Sequence, residues 1–409
     1  MRAIAHDSSR AFALDKTCAR STPRARHARA AAYNAPMGNP LLGGLTPRQF
    51  LRRHWQKTPL LVRRALPGFA GVIGRRALFA LAARPHAEAR LVERRGARWR
   101  VTEAPIAPAR LARAGARDWT LLVNAVEHHA PAAERLLRRF AFLPQWRLDD
   151  VMVSYAAPGG GVGPHWDAYD VFLVQARGRR LWRLARPRAF RTVEGAPLRL
   201  IADFRAEEEY LLEPGDLLYL PPGWGHDGIA LEPCMTCSVG MRAPQGEELA
   251  AAFLDHLHER GLPAADYRDP DRAPAARPAH IERRLLEHAV RLLAAIRWRR
   301  ADVAEFLGRH LSAPRASAVF APRRARPRVP LERSEVVLDA RSRMLYRGAQ
   351  VFLNGESYRV ARRQRAPLAL LADRRRAPGR LLARAGLAPL VYDWYAAGWL
   401  HLAPAAARR

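Results

Sequence analysis

Two stretches decide the fold: Gly159–Asp170, GGGVGPHWDAYD, and Gly215–His226, GDLLYLPPGWGH. The first ends a β-like run and presents His165 and Asp167 two residues apart. On an extended chain alternate side chains point the same way, so these two can address one ion. The second reads as a strand, a Pro-Pro-Gly turn and then His226. Sheet pairing that carries His226 up to the first pair yields two imidazoles and one carboxylate with open positions opposite. That is the donor set of a non-heme Fe(II) oxygenase. A closed structural site would want four protein ligands.

Working outward, residues 146–242 form a succession of short β runs: Val151–Tyr155, Val171–Ala176, Leu181–Leu184, Leu198–Ile201, Tyr210–Leu212, Leu217–Leu220 and Met235–Met241. Gly and Pro punctuate them closely, which favours an antiparallel sandwich or barrel. The first stretch fits G-x-x-x-x-x-H-x-D from Gly159, and the second fits G-x-x-x-x-x-P-x-G-x-x-H from Gly215. These resemble the two half-motifs of the cupin superfamily, in order. The expected fold is therefore mixed α/β and mainly β, with a double-stranded β-helix (jelly roll) at its core.

Before the barrel, Thr46 and Pro47 signal a helix that Pro59 stops, and Leu60–Val62 resumes as a strand. Helices are expected over Arg75–Ala83 and Ala132–Phe140, and strands over residues 89–101 and 118–124. After the barrel, Glu247–Gly261 and Ile281–Leu311 read as helices, the second with an apolar stripe at helical spacing. That stripe suits either a homodimer or packing on the chain's own barrel. Residues 313–330 are Pro-rich and read as a linker. Arg343–Tyr346 and Gln350–Leu353 make a hairpin, Asn354-Gly355 is a further turn, and short helices follow around Leu368–Arg375, Arg380–Ala385 and Leu390–Ala396. Hairpin plus small helices is the make-up of a winged helix. The division is then 1–36 extension, 37–243 barrel domain, 244–312 helical region, 313–330 linker and 331–409 winged-helix-like domain.

The chain carries a net charge of +31, with 67 Arg and 2 Lys. Compositional bias toward Arg, Ala and Pro accounts for part of it, but the field remains and favours anionic partners, RNA among them. Three cysteines are too few for a disulfide scaffold and fit a cytoplasmic setting. Cys234 and Cys237 form a lone C-x-x-C without a second ligand pair, read as coincidence. No stretch approaches the ~20 apolar residues of a membrane span. Residues 1–36 have transit-peptide composition, yet a disordered extension, with Met37 as the native start, is the preferred reading.

An oxygenase using a keto acid needs a cation for the far carboxylate of that acid. Arg177, Arg179 and Arg180 lie on the run after Asp167, and only one of the three is expected to point into the barrel. Asp149 and Asp150, on the strand leading in, are either strand-capping or surface acids, or candidates for holding a cationic substrate side chain.

The runs Gly159–Phe172, Gly178–Arg180 before Trp182, and Glu213–His226 resemble the JmjC-type 2-oxoglutarate oxygenases. With His54–Pro59 (HWQKTP), Trp146–Val151 (WRLDDV), Ser238–Pro244 (SVGMRAP) and Tyr267–Asp271 (YRDPD), they resemble more closely the bacterial ribosomal oxygenases. The resemblance covers about 40–330 and, more loosely, the C-terminal domain. It implies a hydroxylase acting on an arginyl residue of the sixteenth large-subunit ribosomal protein, with Fe(II), 2-oxoglutarate and dioxygen. It also implies a helical dimerisation region and a C-terminal winged helix. Position by position, it implies His165, Asp167 and His226 as metal ligands and Arg180 as the residue on the 5-carboxylate of 2-oxoglutarate. Thr236 stands where relatives often carry Asn. Two other classes remain open. A non-oxidative cupin metalloenzyme would need no Arg180, and a nucleic-acid-binding protein would use the barrel as a sensor.

Overall fold

The computed structural model describes residues 38–323 and 330–404. The expected extension over 1–36, Met37, and linker positions 324–329 lie outside the described residues.

The N-terminal part runs α1 (Pro47–Arg53), β1 (Leu60–Val62), α2 (Arg75–Ala82), β2 (Ala89–Arg95), β3 (Arg98–Glu103), α3 (Pro108–Ala112), β4 (Trp119–Val123) and α4 (Pro131–Arg138). Thr46 caps α1 as the sequence predicts, and Gln49 returns the bond to the Thr46 N–H. The barrel strands follow: β5 (Leu148–Ala156), β6 (Val171–Arg177), β7 (Arg180–Ala185), β8 (Glu208–Leu212), β9 (Leu217–Leu220), β10 (Gly225–Ala230) and β11 (Cys234–Met241).

Eight strands form one antiparallel sheet in the order β1-β9-β6-β11-β5-β4-β2-β3, and β10-β7-β8 forms the sheet facing it. Val171, Leu173, Trp182, Leu184, Leu212 and Trp224 close the space between the two sheets. A larger cluster on the outer side of the big sheet joins Phe50, Phe140, Phe172 and Tyr219. The architecture is the expected two-sheet jelly roll with helices around it.

Four details depart from the sequence reading. Residues 89–101 are not one strand: Gly96, at φ +60°, turns the chain so that Arg95 pairs with Arg98. Leu198–Ile201 contributes only an isolated bridge, Thr192 to Ile201, within an otherwise irregular segment interrupted by Gly195 and Pro197. Ile281–Leu311 is two helices, α5 (Gly246–Glu259) being followed by α6 (Arg283–Ala294) and α7 (Arg300–Ser312). The break has a local cause, because the Asp302 carboxylate accepts the Arg299 N–H at 2.6 Å and starts a new helix. Lastly, β10 was not anticipated as a strand.

The described part of the linker is packed: Arg315 and Ser317 both bond Glu88. The C-terminal domain comprises β12 (Ser334–Leu338), β13 (Met344–Arg347), β14 (Gln350–Leu353), β15 (Glu356–Arg359), α8 (Arg362–Arg374), β16 (Arg376–Pro378), α9 (Gly379–Arg384), α10 (Ala388–Ala396) and β17 (Leu400–Pro404). Its wing is a three-strand meander, β13-β14-β15, with Asn354-Gly355 at the second turn. A separate core around Leu368, Leu371, Val391 and Trp394 holds it together.

Candidate metal centre

His165 lies beyond β5 and His226 lies in β10, yet their backbones form an isolated antiparallel bridge. Each donates its N–H to the other's carbonyl, at 2.9 and 2.7 Å. Such a mutually bonded pair sets both side chains on one face. The imidazole centroids are 4.2 Å apart. Asp167 follows two residues on, and its carbonyl accepts the Gly223 N–H at 2.8 Å, so the Pro-Pro-Gly turn pins the third ligand.

Glycine makes this approach possible. A Cβ at Gly161 would lie 2.6 Å from the Gly228 carbonyl oxygen. Gly163 sits at φ +77° and a Cβ there would meet Leu200 at 2.6 Å.

Both imidazoles are oriented by the main chain. His165 Nδ1 lies 2.8 Å from the Gly163 carbonyl, and His226 Nδ1 lies 3.0 Å from that of Trp224. A carbonyl only accepts, so Nδ1 carries the proton and Nε2 presents its lone pair inward. His226 Nε2 is 3.6 Å from Asp167 Oδ2, and one ligand atom from each of the three residues falls within 4.8 Å of the others. Ligands at about 2.1 Å from a common ion, mutually cis, stand roughly 3 Å apart, so the set is of the right size. Burial, with His165 beside it, holds the His226 imidazole well below its ordinary range despite Asp167. It is therefore neutral, as a ligand must be.

Strand alternation arranges the rest. In the β10–β7 register His226 faces Leu184, Gly228 faces Trp182 and Ala230 faces Arg180, so Arg180, Trp182 and His226 share a face. A side chain at position 228 would strike the Trp182 ring at 2.7 Å, so that position takes Gly. The Arg180 guanidinium lies 5.5 Å from the Trp182 ring centre, which in turn is 6.0 Å from the His226 ring.

Arg180 is 5% exposed. Its Nη1 donates to Ser154 Oγ at 3.3 Å and to Thr236 Oγ1 at 3.4 Å, and Thr236 donates on to Gln175 at 2.9 Å. Its Nε finds no acceptor among the described residues. Arg177 and Arg179 turn away, bonding the Ala70 carbonyl and Glu232 on the outside. Thr236, the departure noted above, is thus a support for Arg180. Ser154 was not singled out in the sequence. The signal for Ser154 was there, since Asp150, Met152 and Ser154 alternate along β5.

His165, Asp167, His226, Arg180, Ser154 and Trp182 open on one cavity of about 550 Å³. Trp166, between the two ligands, faces its rim and stacks near Phe190 at 5.5 Å. Asp149 and Asp150 also line it but differ in kind. Asp149 Oδ1 is held by Arg242 at 3.2 Å, Arg315 at 3.1 Å and Arg343 at 3.2 Å. Three guanidinium groups thus already share this carboxylate. Asp150 Oδ2 accepts from Asn124 and the Ala125 N–H, both at 3.0 Å, while Oδ1 lies on the side of Gly240. Burial raises the Asp150 carboxyl, and Arg315 opposes the rise.

Two facing antiparallel sheets with a His-Asp-His set between them define a JmjC domain of cupin type. The JmjC domain family matches residues 135–249, and the ROXA-like winged helix family matches residues 295–401. The chain is 44% identical over 234 residues to ribosomal protein uL16 3-hydroxylase of Escherichia coli K12. It is 28% identical over 248 residues to ribosomal oxygenase 1 of Gallus gallus. These alignments cover 57% and 55% of this chain but only 62% and 38% of the relatives. Among solved structures, that of E. coli ycfD superposes with a TM-score of 0.74 at 32% identity, covering 87% of this chain and 97% of the other. YcfD, described as a ribosomal oxygenase, in complex with cobalt and 2-oxoglutarate, superposes with 0.72 at 32% identity, covering 88% and 98%. The chain belongs to the family of JmjC-domain ribosomal oxygenases that carry a ROXA-like winged helix.

Proposed function

We propose that this chain is an Fe(II)- and 2-oxoglutarate-dependent protein hydroxylase acting on an arginyl residue of the sixteenth large-subunit ribosomal protein, uL16, in the cytoplasm. The observation that carries the reading is one cavity holding both His165, Asp167 and His226 with converging donors and Arg180 with guanidinium nitrogen to offer. Two nitrogens and one oxygen suit Fe(II) and leave positions for a chelating keto acid and dioxygen. The donor fork of Arg180 suits a carboxylate. The complex of YcfD with cobalt and 2-oxoglutarate supports the same assignment.

Bound there, iron with 2-oxoglutarate and dioxygen supplies the oxidising power that replaces a C–H hydrogen by hydroxyl, the cosubstrate leaving as succinate and carbon dioxide. The chain's own residues bind and orient. Gly163 and Trp224 carbonyls keep the two imidazoles in the ligating tautomer. Ser154 and Thr236 hold Arg180 so that its remaining donors meet the cosubstrate's far carboxylate. Leu173, Val171 and Trp182 give the cavity its apolar wall. Asp150 is the carboxylate that receives the substrate guanidinium through Oδ1, with Asn124 and the Ala125 amide fixing its other oxygen.

The division into a barrel over 37–243, helices over 244–312 and a winged helix over 331–409 belongs to this reading. So does a homodimer. On α6, Leu286, Val290 and Leu293 are 58, 56 and 66% exposed, an apolar face suited to a second copy.

The test is incubation of the pure protein with iron, 2-oxoglutarate and the ribosomal protein, read by mass spectrometry. Gain of about one oxygen, dependent on 2-oxoglutarate, supports the reading. Absence of both oxygen gain and succinate sinks it. A non-oxidative cupin enzyme would keep its activity in an Arg180→Ala variant.

A further inference from the structure

On the far side of α4 from the barrel, a cleft of about 740 Å³ separates that helix from the winged-helix domain. It shares no lining residue with the metal-site cavity. Its walls carry Arg135, Arg138 and Arg139 from one side and Arg374, Arg375 and Arg376 from the other, against two carboxylates, Glu134 and Asp373. The excess is four positive charges.

The local structure deepens this imbalance. Arg375 adopts φ +57° and turns inward, donating to the Ser342 and Asp339 carbonyls and to Glu134 at 3.2 Å. With Arg375 inside, its neighbours Arg374 and Arg376 are exposed. Glu134 is thereby engaged by Arg375 and, at 3.8 Å, by Arg138. Arg135 and Arg139 are exposed and have no carboxylate partner among the described residues. They stand one helical turn apart, where like charges destabilise a helix, so the fold does not call for them.

On the barrel surface Arg179, Arg183 and Arg186 each meet a glutamate: Glu232, Glu209 and Glu207. In the cleft Arg375 and Arg138 share Glu134 and Arg376 lies 3.6 Å from Glu335, while Arg135 and Arg139 have no carboxylate among the described residues. A half-buried aromatic ring, Phe142, also lines the cleft, its inner side packed near Phe50 and Phe140 at 6.0 and 6.4 Å. Guanidinium groups converging from two walls with an aromatic face between them are what a single-stranded nucleic acid requires: forks for phosphates and a platform for a base. An acidic peptide would use the arginines and leave the ring idle.

We infer that this cleft binds single-stranded RNA through its phosphates, with Arg135 and Arg139 as principal contacts and the charge of +31 steering the approach. The ribosomal setting comes from the proposed function; the binding itself requires neither metal nor cosubstrate. It also gives a basic enzyme a means of reaching a basic ribosomal protein, with RNA lying between them.

The experiment is fluorescence anisotropy of a short single-stranded RNA with the full chain at several salt concentrations, without iron or 2-oxoglutarate. An Arg135→Glu/Arg139→Glu double variant is expected to weaken binding at least tenfold and to lower the salt exponent by about 1.4. An Arg347→Glu/Arg359→Glu variant on the wing, with the same charge change, is expected to stay within twofold. Equal loss in both variants would assign binding to bulk charge or to the wing and overturn the proposal. So would unchanged binding in the first variant, or displacement of the RNA by polyglutamate at equal charge. Because these readouts are independent of hydroxylation, failure here and failure of the proposed activity are separable.

Discussion

His165 and His226 exchange both of their backbone hydrogen bonds, so the metal centre is assembled by the main chain before any ion arrives. Truncating either side chain leaves that bridge in place. His165→Ala, Asp167→Ala and His226→Ala are each expected to lower affinity for cobalt or manganese by 100-fold or more. Their metal-free melting temperatures should stay within a few degrees of the parent. Calorimetric titration and thermal melting, side by side, check this; a large drop in melting temperature would mean that the imidazoles themselves hold the bridge.

Arg180 receives support from Ser154 and Thr236, which predicts a graded response. Arg180→Ala should raise the KM for 2-oxoglutarate by roughly 100-fold, about the 2–3 kcal/mol expected of a charged hydrogen bond. Thr236→Val should raise it only a few-fold, since Ser154 remains. Steady-state succinate release against 2-oxoglutarate concentration measures both. Equal effects would make Thr236 a direct contact.

The two adjacent aspartates should separate cleanly. Asp149→Asn leaves Arg242, Arg315 and Arg343 without their shared anion and is expected to cost about 1–3 kcal/mol of stability. Asp150→Asn should instead raise the KM for the protein substrate, with kcat less affected. Denaturant unfolding and peptide kinetics distinguish the two. Identical behaviour would assign both residues to the same role.

Acid should destabilise the fold through His128. Its imidazole is pushed down to about 4, chiefly by burial, with His129, Arg343 and Arg315 adding to the effect. Above the ordinary value of 6.5 the folded and unfolded chains are both neutral there. Between 6.5 and 4 the unfolded chain takes a proton that the folded one refuses, so stability falls as pH falls through that window. Burial raises Glu127 instead, so its contribution is lost as pH climbs above the ordinary carboxylate range. Melting curves from pH 4 to 8 should therefore flatten on the acid side in His128→Gln and on the alkaline side in Glu127→Gln.

The exposed face of α6 predicts the assembly. Leu286→Arg with Leu293→Arg should convert a dimer to a monomer, read by light scattering on a sizing column. A parent protein that is already monomeric would remove the basis for that assignment.

Much of this was legible in the chain itself. His165, Asp167 and His226 were visible as two half-motifs, and the α1 cap and the Asn354-Gly355 turn were visible as local chemistry. What escaped was set by pairing between distant segments. Gly225–Ala230, GHDGIA, lacks the branched residues of a strand and becomes one only because β7 lies beside it. Arg177, Arg179 and Arg180 were separable by family resemblance but not by spacing, because which of them faces inward depends on the bend at Gly178, at φ +60°. The break before α7 rests on a single Asp302 contact, with neither Gly nor Pro to announce it. Asp149 and Asp150 looked equivalent because their partners come from residues 124 to 343, far outside any local window.

Asp149 sits where the barrel end, the linker and the wing each deliver one arginine to a single carboxylate, beside the residue proposed to grip the substrate. A fragment cut at the linker would lose Arg343 and, if cut before residue 315, Arg315 as well. The strand bearing Asp150 would then be loosened at its entrance. The smallest fragment expected to work is consequently longer than the barrel, and a terminal domain none of whose described residues lines the metal-site cavity still helps to set the shape of the doorway.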